Sequence, residues 1–337
     1  MTDTVTPNAP APWLAPALQD LLHQRGHALL LQGPSGLGQY RLGLALARAW
    51  LCLQASDKGA CGQCASCRNV DLRSHADLCV LMPETHMIDK DWPLHEKAQK
   101  EIDDKARKPS REIRVDAARD MVAFTQTTRS GGRHKVVLIY PAERMNHITA
   151  NTILKTLEEP PGDTRFLLVS EAAHLLLPTI RSRCQTHALR WPESAPAVQW
   201  LRDQGVAASD AEVLLSAAGG RPEDAWVMAQ SGLKAQAWLA LPKAVARGEV
   251  QIFQAWAPAQ VVATLQKICH DCQMTALGAA PRFFPSQSLP VGATLTALTQ
   301  WSKELITSAK GAEHPFNAGL MLEALVSQAR LALQTRA

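Results

Sequence analysis

Short apolar runs recur along the first part of the chain, separated by longer segments in which apolar residues follow a helical period. The clearest runs are Ala28–Leu31, Leu78–Leu81, Val136–Ile139 and Phe166–Val169. Each run has the length of a buried strand, and the segments between them are long enough for helices. This alternation predicts an α/β domain with a mostly parallel sheet that is covered on both faces.

Beyond Trp191-Pro192 the strand pattern ends, and alanine- and leucine-rich helical segments continue to the end of the chain. Gly219-Gly220 and the Gly278–Gly292 stretch interrupt these segments. We predict an α/β domain over residues 1–190, a small helical domain over 191–241 and a second helical domain over 242–337. The charged, apolar-poor segment 84–111 predicts a surface insertion that is partly helical or mobile and has no function that we can derive.

A glycine-rich loop, Gly33-Pro34-Ser35-Gly36-Leu37-Gly38, follows the first predicted strand. The helical pattern after it has one apolar face, formed by Leu42, Ala45, Leu46, Ala49 and Leu53. This is the glycine frame of a phosphate-binding P-loop, in which a Lys reaches the phosphates and a Ser or Thr holds Mg²⁺. Here those two positions are Gln39 and Tyr40. Gln39 has no charge and Tyr40 is too bulky for a magnesium ligand, so we do not expect ATP to bind this chain productively.

The strand-end acid of P-loop ATPases is also displaced. Val136–Ile139 runs into Tyr140-Pro141-Ala142-Glu143, so no acid directly follows the strand. Glu143 is either a substitute for that acid or an ordinary loop acid in solvent. Two losses at one site argue against ATP hydrolysis by this chain.

Four cysteines, Cys52, Cys61, Cys64 and Cys67, lie in one short window rich in small and polar residues. Two successive C-x-x-C steps and the nearby Gly59 and Gly62 favour a tetrahedral structural Zn²⁺ site over buried cysteines that only fill space. A redox switch or an iron–sulfur cluster remains as an alternative. The pair in Cys269-His270-Asp271-Cys272 lies in a helical pattern and predicts core thiols, as does Cys79 within a strand.

Composition adds modest limits. The formal net charge is +4, which is compatible with a nucleic-acid partner but is too small to indicate one. The chain has no apolar run long enough to span a membrane, and its amino-terminal stretch lacks the pattern of a signal peptide. We therefore expect a cytoplasmic protein without a membrane partner.

Several motifs follow one another in an order that resembles a known family. They are Arg25-x-His27-Ala28, the glycine loop, the four cysteines, Asn151-x-x-Leu154-Lys155-x-Leu157-Glu158-Glu159-Pro160-Pro161 and Ser182-Arg183-Cys184. Over residues 12–190 the chain resembles the delta-prime family of bacterial clamp-loader subunits. Gly219-Gly220-Arg221-Pro222 and His314-Pro315-Phe316-Asn317 extend the resemblance weakly into the helical part.

The resemblance implies a P-loop AAA+ domain with a zinc-binding insertion over residues 52–67, a helical lid and an all-α collar through which subunits assemble. It implies a non-hydrolysing subunit of the DNA polymerase III holoenzyme, a nucleotidyltransferase. Such a subunit joins tau/gamma and delta subunits to load the sliding clamp on primed DNA.

The resemblance also assigns roles to individual residues. Arg183, which by itself would be ordinary surface charge, resembles the arginine finger that completes the ATP site of an adjacent tau/gamma subunit, and Ser182 and Cys184 would shape its loop. Arg221 aligns with a lid arginine that senses phosphate, but beside an empty site a structural salt bridge is the expected role.

Two alternatives belong to other classes. One is an ATP-hydrolysing, tau/gamma-like subunit with a divergent P-loop, which would bind ATP in isolation. The other is a free-standing zinc-dependent DNA-binding module, which would need basic and aromatic residues interleaved around the cysteines. Trp50 is the sole aromatic residue near them.

Overall fold

A computed structural model describes residues 10–311 and 318–334. The chain forms two compact units, one ending at Pro196 and the other beginning at Ala197. The His314–Asn317 motif lies outside the described residues.

The first unit contains a five-stranded sheet in which every pairing is parallel. Its strands are β1 (Ala28–Gln32), β2 (Leu78–Leu81), β3 (Lys135–Ile139), β4 (Thr164–Ser170) and β5 (Gln185–Ala188). Their order across the sheet is β2-β3-β4-β1-β5. The predicted α/β class is therefore confirmed, and the four apolar runs all form strands.

Helices connect the strands and continue into the second unit. Those of the first part are α1 (Ala15–Leu22), α2 (Gln39–Leu51), α3 (Ala65–Asp71), α4 (Glu84–Asp89), α5 (Glu96–Asp103), α6 (Val115–Gln126), α7 (His147–Glu158) and α8 (Pro178–Arg181). The helix α9 (Ser194–Asp203) contains the boundary between the units. The charged segment 84–111 is partly helical, as predicted, because it holds α4 and α5.

The helix after the glycine loop packs its predicted apolar face, with one exception. Leu42, Leu46 and Ala49 are buried, but Leu53 is 55% exposed. The prediction for Leu53 was wrong because α2 ends at Leu51, and Cys52 adopts an extended conformation that carries the chain away. A Cβ on Gly43 would lie 2.8 Å from Val169 Cγ2, which shows how closely α2 approaches the sheet.

The second unit is helical, with α10 (Ala208–Ala217), α11 (Pro222–Gln230), α12 (Ala235–Arg247), α13 (Pro258–Ala276), α14 (Leu295–Gly311) and α15 (Ala318–Gln334). One core runs through it and includes Trp238, Phe253, Trp301 and the two thiols Cys269 and Cys272. Burial raises the pKa of each thiol to about 12, as expected for core cysteines. The predicted boundary at 241/242 falls inside α12, and the division into lid and collar stays a prediction. Within the described ranges, no helix is long and apolar enough to cross a bilayer.

Candidate functional site

The glycine loop joins β1 to α2, in the strand–loop–helix order that a P-loop requires. Gly36 and Gly38 have φ values of 77° and 93°, a left-handed conformation that glycine adopts without a steric penalty. The loop is tied to the sheet because the Gly33 N–H donates to the Ser170 carbonyl at 3.2 Å. The backbone frame of a phosphate loop is therefore present.

Gln39 occupies the position of the phosphate-binding lysine and is only 2% exposed. Its Nε2 donates to the carbonyl oxygens of Gly33 at 3.2 Å and of Pro34 at 2.9 Å. The side chain thus braces its own loop, and it supplies no charge for phosphate oxygens.

Tyr40 and Tyr140 occupy the two positions at which an active site holds magnesium ligands. Their ring centroids lie 5.1 Å apart. The Tyr40 hydroxyl accepts a hydrogen bond from Trp92 Nε1 at 2.7 Å, and the Tyr140 hydroxyl donates to a Glu171 carboxylate oxygen at 2.6 Å. Burial raises the pKa of Tyr40. Neither phenol can replace the missing serine, threonine or acid as a magnesium ligand while it keeps these contacts.

Glu143, the displaced acid, is engaged within its own unit. One carboxylate oxygen accepts from the Ser170 hydroxyl at 2.7 Å, and the other accepts from the Glu171 N–H at 3.0 Å. The carboxylate therefore fixes the end of β4, and it is not an acid surrounded only by solvent.

The four predicted metal ligands come together. Cys52 follows α2, Cys61 and Cys64 lie in the loop, and Cys67 lies in the first turn of α3. The Sγ atoms of all four lie within 4.8 Å of one another. A tetrahedron with Zn–S bonds of about 2.3 Å has edges of about 3.8 Å, so the cluster could hold a metal ion with little adjustment.

Backbone donors support the sulfur atoms. Cys52 Sγ accepts from the N–H groups of Gln54 at 3.4 Å and Cys61 at 3.3 Å. Burial raises the pKa of the Cys64 thiol, but hydrogen bonds from the Cys67 and Leu53 N–H groups and from neighbouring thiols outweigh it and bring that pKa to about 6. Backbone hydrogen bonds from Gln63 and Cys64 lower the pKa of Cys61. These hydrogen bonds favour the thiolate form, which a metal requires, at Cys64 and Cys61, whereas burial raises the pKa of Cys67.

Arg183 follows α8 and lies at the surface, with 32% of its side chain exposed. Its Nε and one terminal nitrogen donate to the carboxylate of Glu158, and its Nη1 donates to the Thr179 carbonyl at 2.7 Å. The side chain is therefore aligned by its own chain and bonded to none of the glycine-loop residues. Arg221 pairs with Asp224 at 3.0 Å, as expected for a structural salt bridge.

The sequence motifs meet in space. The His27 Nε2–H donates to the Leu157 carbonyl at 3.0 Å, so the Arg25-x-His27-Ala28 motif contacts the Leu157-Glu158-Glu159-Pro160-Pro161 motif. The latter in turn holds Arg183 through Glu158. These contacts link motifs that the sequence shows only as separate segments.

Comparison with known proteins shows where this arrangement belongs. A family model described as "DNA polymerase III, delta subunit" matches residues 17–193, a little over half of the chain. The DNA polymerase III subunit delta' of Pseudomonas aeruginosa is 40% identical over 216 residues, which cover 63% of this chain. The chain belongs to the DNA polymerase III delta-prime family. The match spans 58% of that relative's length.

Relatives of the delta-prime family also appear among the matches. The DNA polymerase III subunit tau of Salmonella typhimurium is 30% identical over 158 residues, which cover 47% of this chain and 21% of that protein. A gamma subunit-related protein of DNA polymerase III from Thermotoga maritima shares the fold. Its crystal structure aligns with a TM-score of 0.51 at 14% identity, and covers 96% of this chain and 100% of that one. The α/β fold is thus shown for this member of the delta-prime family.

Proposed function

We propose that this chain is a non-hydrolysing clamp-loader subunit of the DNA polymerase III holoenzyme. In this proposal it assembles with tau/gamma and delta subunits and helps to load the sliding clamp on primed DNA. The observation that carries the proposal is the glycine loop, whose frame is kept while Gln39 bonds to the loop's own carbonyls. Membership of the delta-prime family supports the assignment.

The direct chemistry in this proposal is electrostatic and acts in trans. Arg183 would stabilise the charge that develops on phosphate oxygens in the ATP site of an adjacent tau/gamma subunit. Its present partner, the Glu158 carboxylate, is an anionic oxygen acceptor, as a phosphate is. Exchange of one oxygen partner for the other would place the guanidinium in the neighbouring site, since Arg183 lies at the surface.

The four cysteines would hold a structural Zn²⁺. All four protein ligands are thiols, so a tetrahedral ion would have no open position for catalysis. When bound, the ion would fix the loop between α2 and α3. The helical second unit would provide the lid and the collar, and the whole assembly would work in the cytoplasm.

The alternative is an ATP-hydrolysing, tau/gamma-like subunit with a divergent P-loop. The similarity to a tau subunit and the intact glycine frame favour it. The two functions differ in whether the native chain binds ATP, because an ATPase subunit needs its own nucleotide. Gln39, Tyr40 and Tyr140 support the non-hydrolysing function.

Two measurements test the proposal. Equilibrium dialysis of the native chain with Mg-ATP should show no saturable binding up to millimolar ATP, and micromolar binding would support the ATPase alternative. Clamp loading on primed DNA should be measured with tau/gamma and delta subunits of the same organism, with and without this chain. Loading that does not depend on the chain would refute the clamp-loader assignment.

A further inference from the structure

The charged segment 84–111 begins just after β2, at the edge of the sheet that also carries the glycine loop, Gln39 and the two tyrosines. These residues are here called the degenerate nucleotide site. In open parallel sheets, ligands bind outside the carboxyl ends of the strands. The glycine loop follows β1 at this edge, Tyr140 follows β3, and Glu171 follows β4. The topology therefore places this segment at the edge of the sheet where a nucleotide's phosphates and magnesium would bind. The segment is here named the insertion.

Two residues of the insertion contact this pair of tyrosines, whose rings are tilted by 33° to each other. The Lys90 Nζ lies 4.7 Å from the ring centroid of Tyr40 and 5.7 Å from that of Tyr140. Trp92 is only 7% exposed, and its Nε1 donates to the Tyr40 hydroxyl. Arg73 in turn lies 4.8 Å over the Trp92 ring. Cation–π contacts of this kind are attractive, so they favour the position of the insertion over the two rings.

An ion pair and a backbone hydrogen bond join the two ends of the insertion. Glu84 is 7% exposed, and its carboxylate accepts from both terminal nitrogens of Arg107 and from the Ser110 N–H. Between the clasped ends, the Trp92 N–H donates to the Met87 carbonyl at 2.8 Å. The side chains of Lys90 and Trp92 are thus presented from a closed loop with fixed ends.

We propose that the insertion is an internal plug of the degenerate nucleotide site, so that nucleotide is excluded by occupation of the site in addition to the loss of its ligands. In this proposal, phosphates would reach the glycine loop only after Lys90 and Trp92 had moved away from Tyr40 and Tyr140. This gives a role to a segment for which the sequence alone suggested none. The inference is independent of the role proposed for Arg183.

The test first restores a positive charge at position 39 and then removes the two side chains of the insertion that contact the tyrosines. Gln39→Lys returns the phosphate-binding cation while leaving both tyrosines in place. Mg-ATP binding is measured by equilibrium dialysis for the full chain carrying Gln39→Lys alone, and for the same chain carrying Lys90→Ala and Trp92→Ala as well. We expect at least tenfold tighter binding in the opened chain. Gln39→Lys with Lys100→Ala is the matched control, because it removes an equal charge from α5 of the same insertion.

A second measurement does not depend on restored affinity. In the chain with native Gln39, hydrogen exchange of the amides of residues 33–40 should be at least tenfold faster with Lys90→Ala and Trp92→Ala than with Lys100→Ala. Unchanged exchange would show that these residues do not cover the loop. Equal ATP binding by the Gln39→Lys chain with and without Lys90→Ala and Trp92→Ala would overturn the inference. No ATP binding by either chain would also overturn it, because the loss of the phosphate and magnesium ligands would then be enough to explain why nucleotide is excluded. Each of these failures leaves the function proposed for Arg183 intact.

Discussion

Asp271 gives the most specific stability prediction, because its carboxylate accepts hydrogen bonds from three successive backbone N–H groups of one loop. The side chain is fully buried in α13. One oxygen accepts from the Arg282 N–H at 2.9 Å, and the other accepts from the N–H groups of Phe283 at 2.7 Å and Phe284 at 2.8 Å. The loop between α13 and α14 thus depends on this acid to satisfy three backbone donors, of which the Phe284 N–H belongs to a buried residue.

The size of the effect follows from counting those donors. A buried donor that loses its partner costs about 1–3 kcal/mol. Asp271→Asn keeps one acceptor oxygen, which can serve Phe283 and Phe284, and places an amide nitrogen where the other oxygen met the Arg282 N–H and His270 Nδ1. We expect it to lower the free energy of unfolding by about 2 kcal/mol. Asp271→Ala removes all three partners and should lower it by about 4 kcal/mol, less than the full sum because water can reach an opened loop.

Urea unfolding of the full chain, followed by near-ultraviolet circular dichroism, measures these changes. Phe284 stacks on Trp238 with centroids 4.6 Å apart, so the aromatic signal reports the loop directly. Asp203→Asn is the control, because this exposed acid accepts one hydrogen bond from Gln199 and should change stability by less than about 0.5 kcal/mol. A loss below 1 kcal/mol for Asp271→Ala would refute the reasoning.

Three further predictions concern the metal, the Arg183 ion pair and pH. Elemental analysis should find one zinc per chain, reduced at least tenfold by Cys61→Ser but not by Cys184→Ser, and equal zinc in both variants would contradict a four-cysteine site. Glu158→Gln should lower the free energy of unfolding by less than about 1 kcal/mol, because partly exposed ion pairs contribute little to stability. A larger loss in urea unfolding would show that the Arg183–Glu158 pair is needed for the stability of the fold. Burial lowers the pKa of Lys267 from 10.5 to about 8, so between these pH values the unfolded chain binds more protons than the folded chain. The free energy of unfolding of the native chain should therefore rise from pH 8 to pH 10.5 relative to that of Lys267→Met. A difference between the two chains that does not change with pH would contradict burial of this amine.

Local patterns in the sequence predicted the features that depend on nearby residues. Four of the five strands are apolar runs, and the four cysteines that could hold a metal lie close together along the chain, so both are visible without a structure. The fifth strand, Gln185–Ala188, was missed because three of its four residues are exposed at the edge of the sheet and carry no apolar pattern.

Contacts between distant residues could not be predicted in the same way. Trp92 and Tyr40 are 52 positions apart, and Arg183 and Glu158 are 25 positions apart. A lone tryptophan in a charged segment was the one available signal of the plug, since a solvated segment rarely contains so large an apolar side chain. The pairing of Arg183 required the end of α7 and the turn after α8 to meet, which no periodicity indicates.

The most direct test of the proposed function is the ATPase rate of the reconstituted loader, stimulated by sliding clamp and primed DNA. Native chain, Arg183→Ala and Arg181→Ala should be compared after gel filtration has shown equal assembly. Arg181 is the matched control, because it is an exposed arginine two positions away. We expect kcat to fall at least tenfold for Arg183→Ala alone, since arginine fingers contribute about 10³–10⁵ in other systems. Unchanged turnover with Arg183→Ala would contradict the action of this residue in trans.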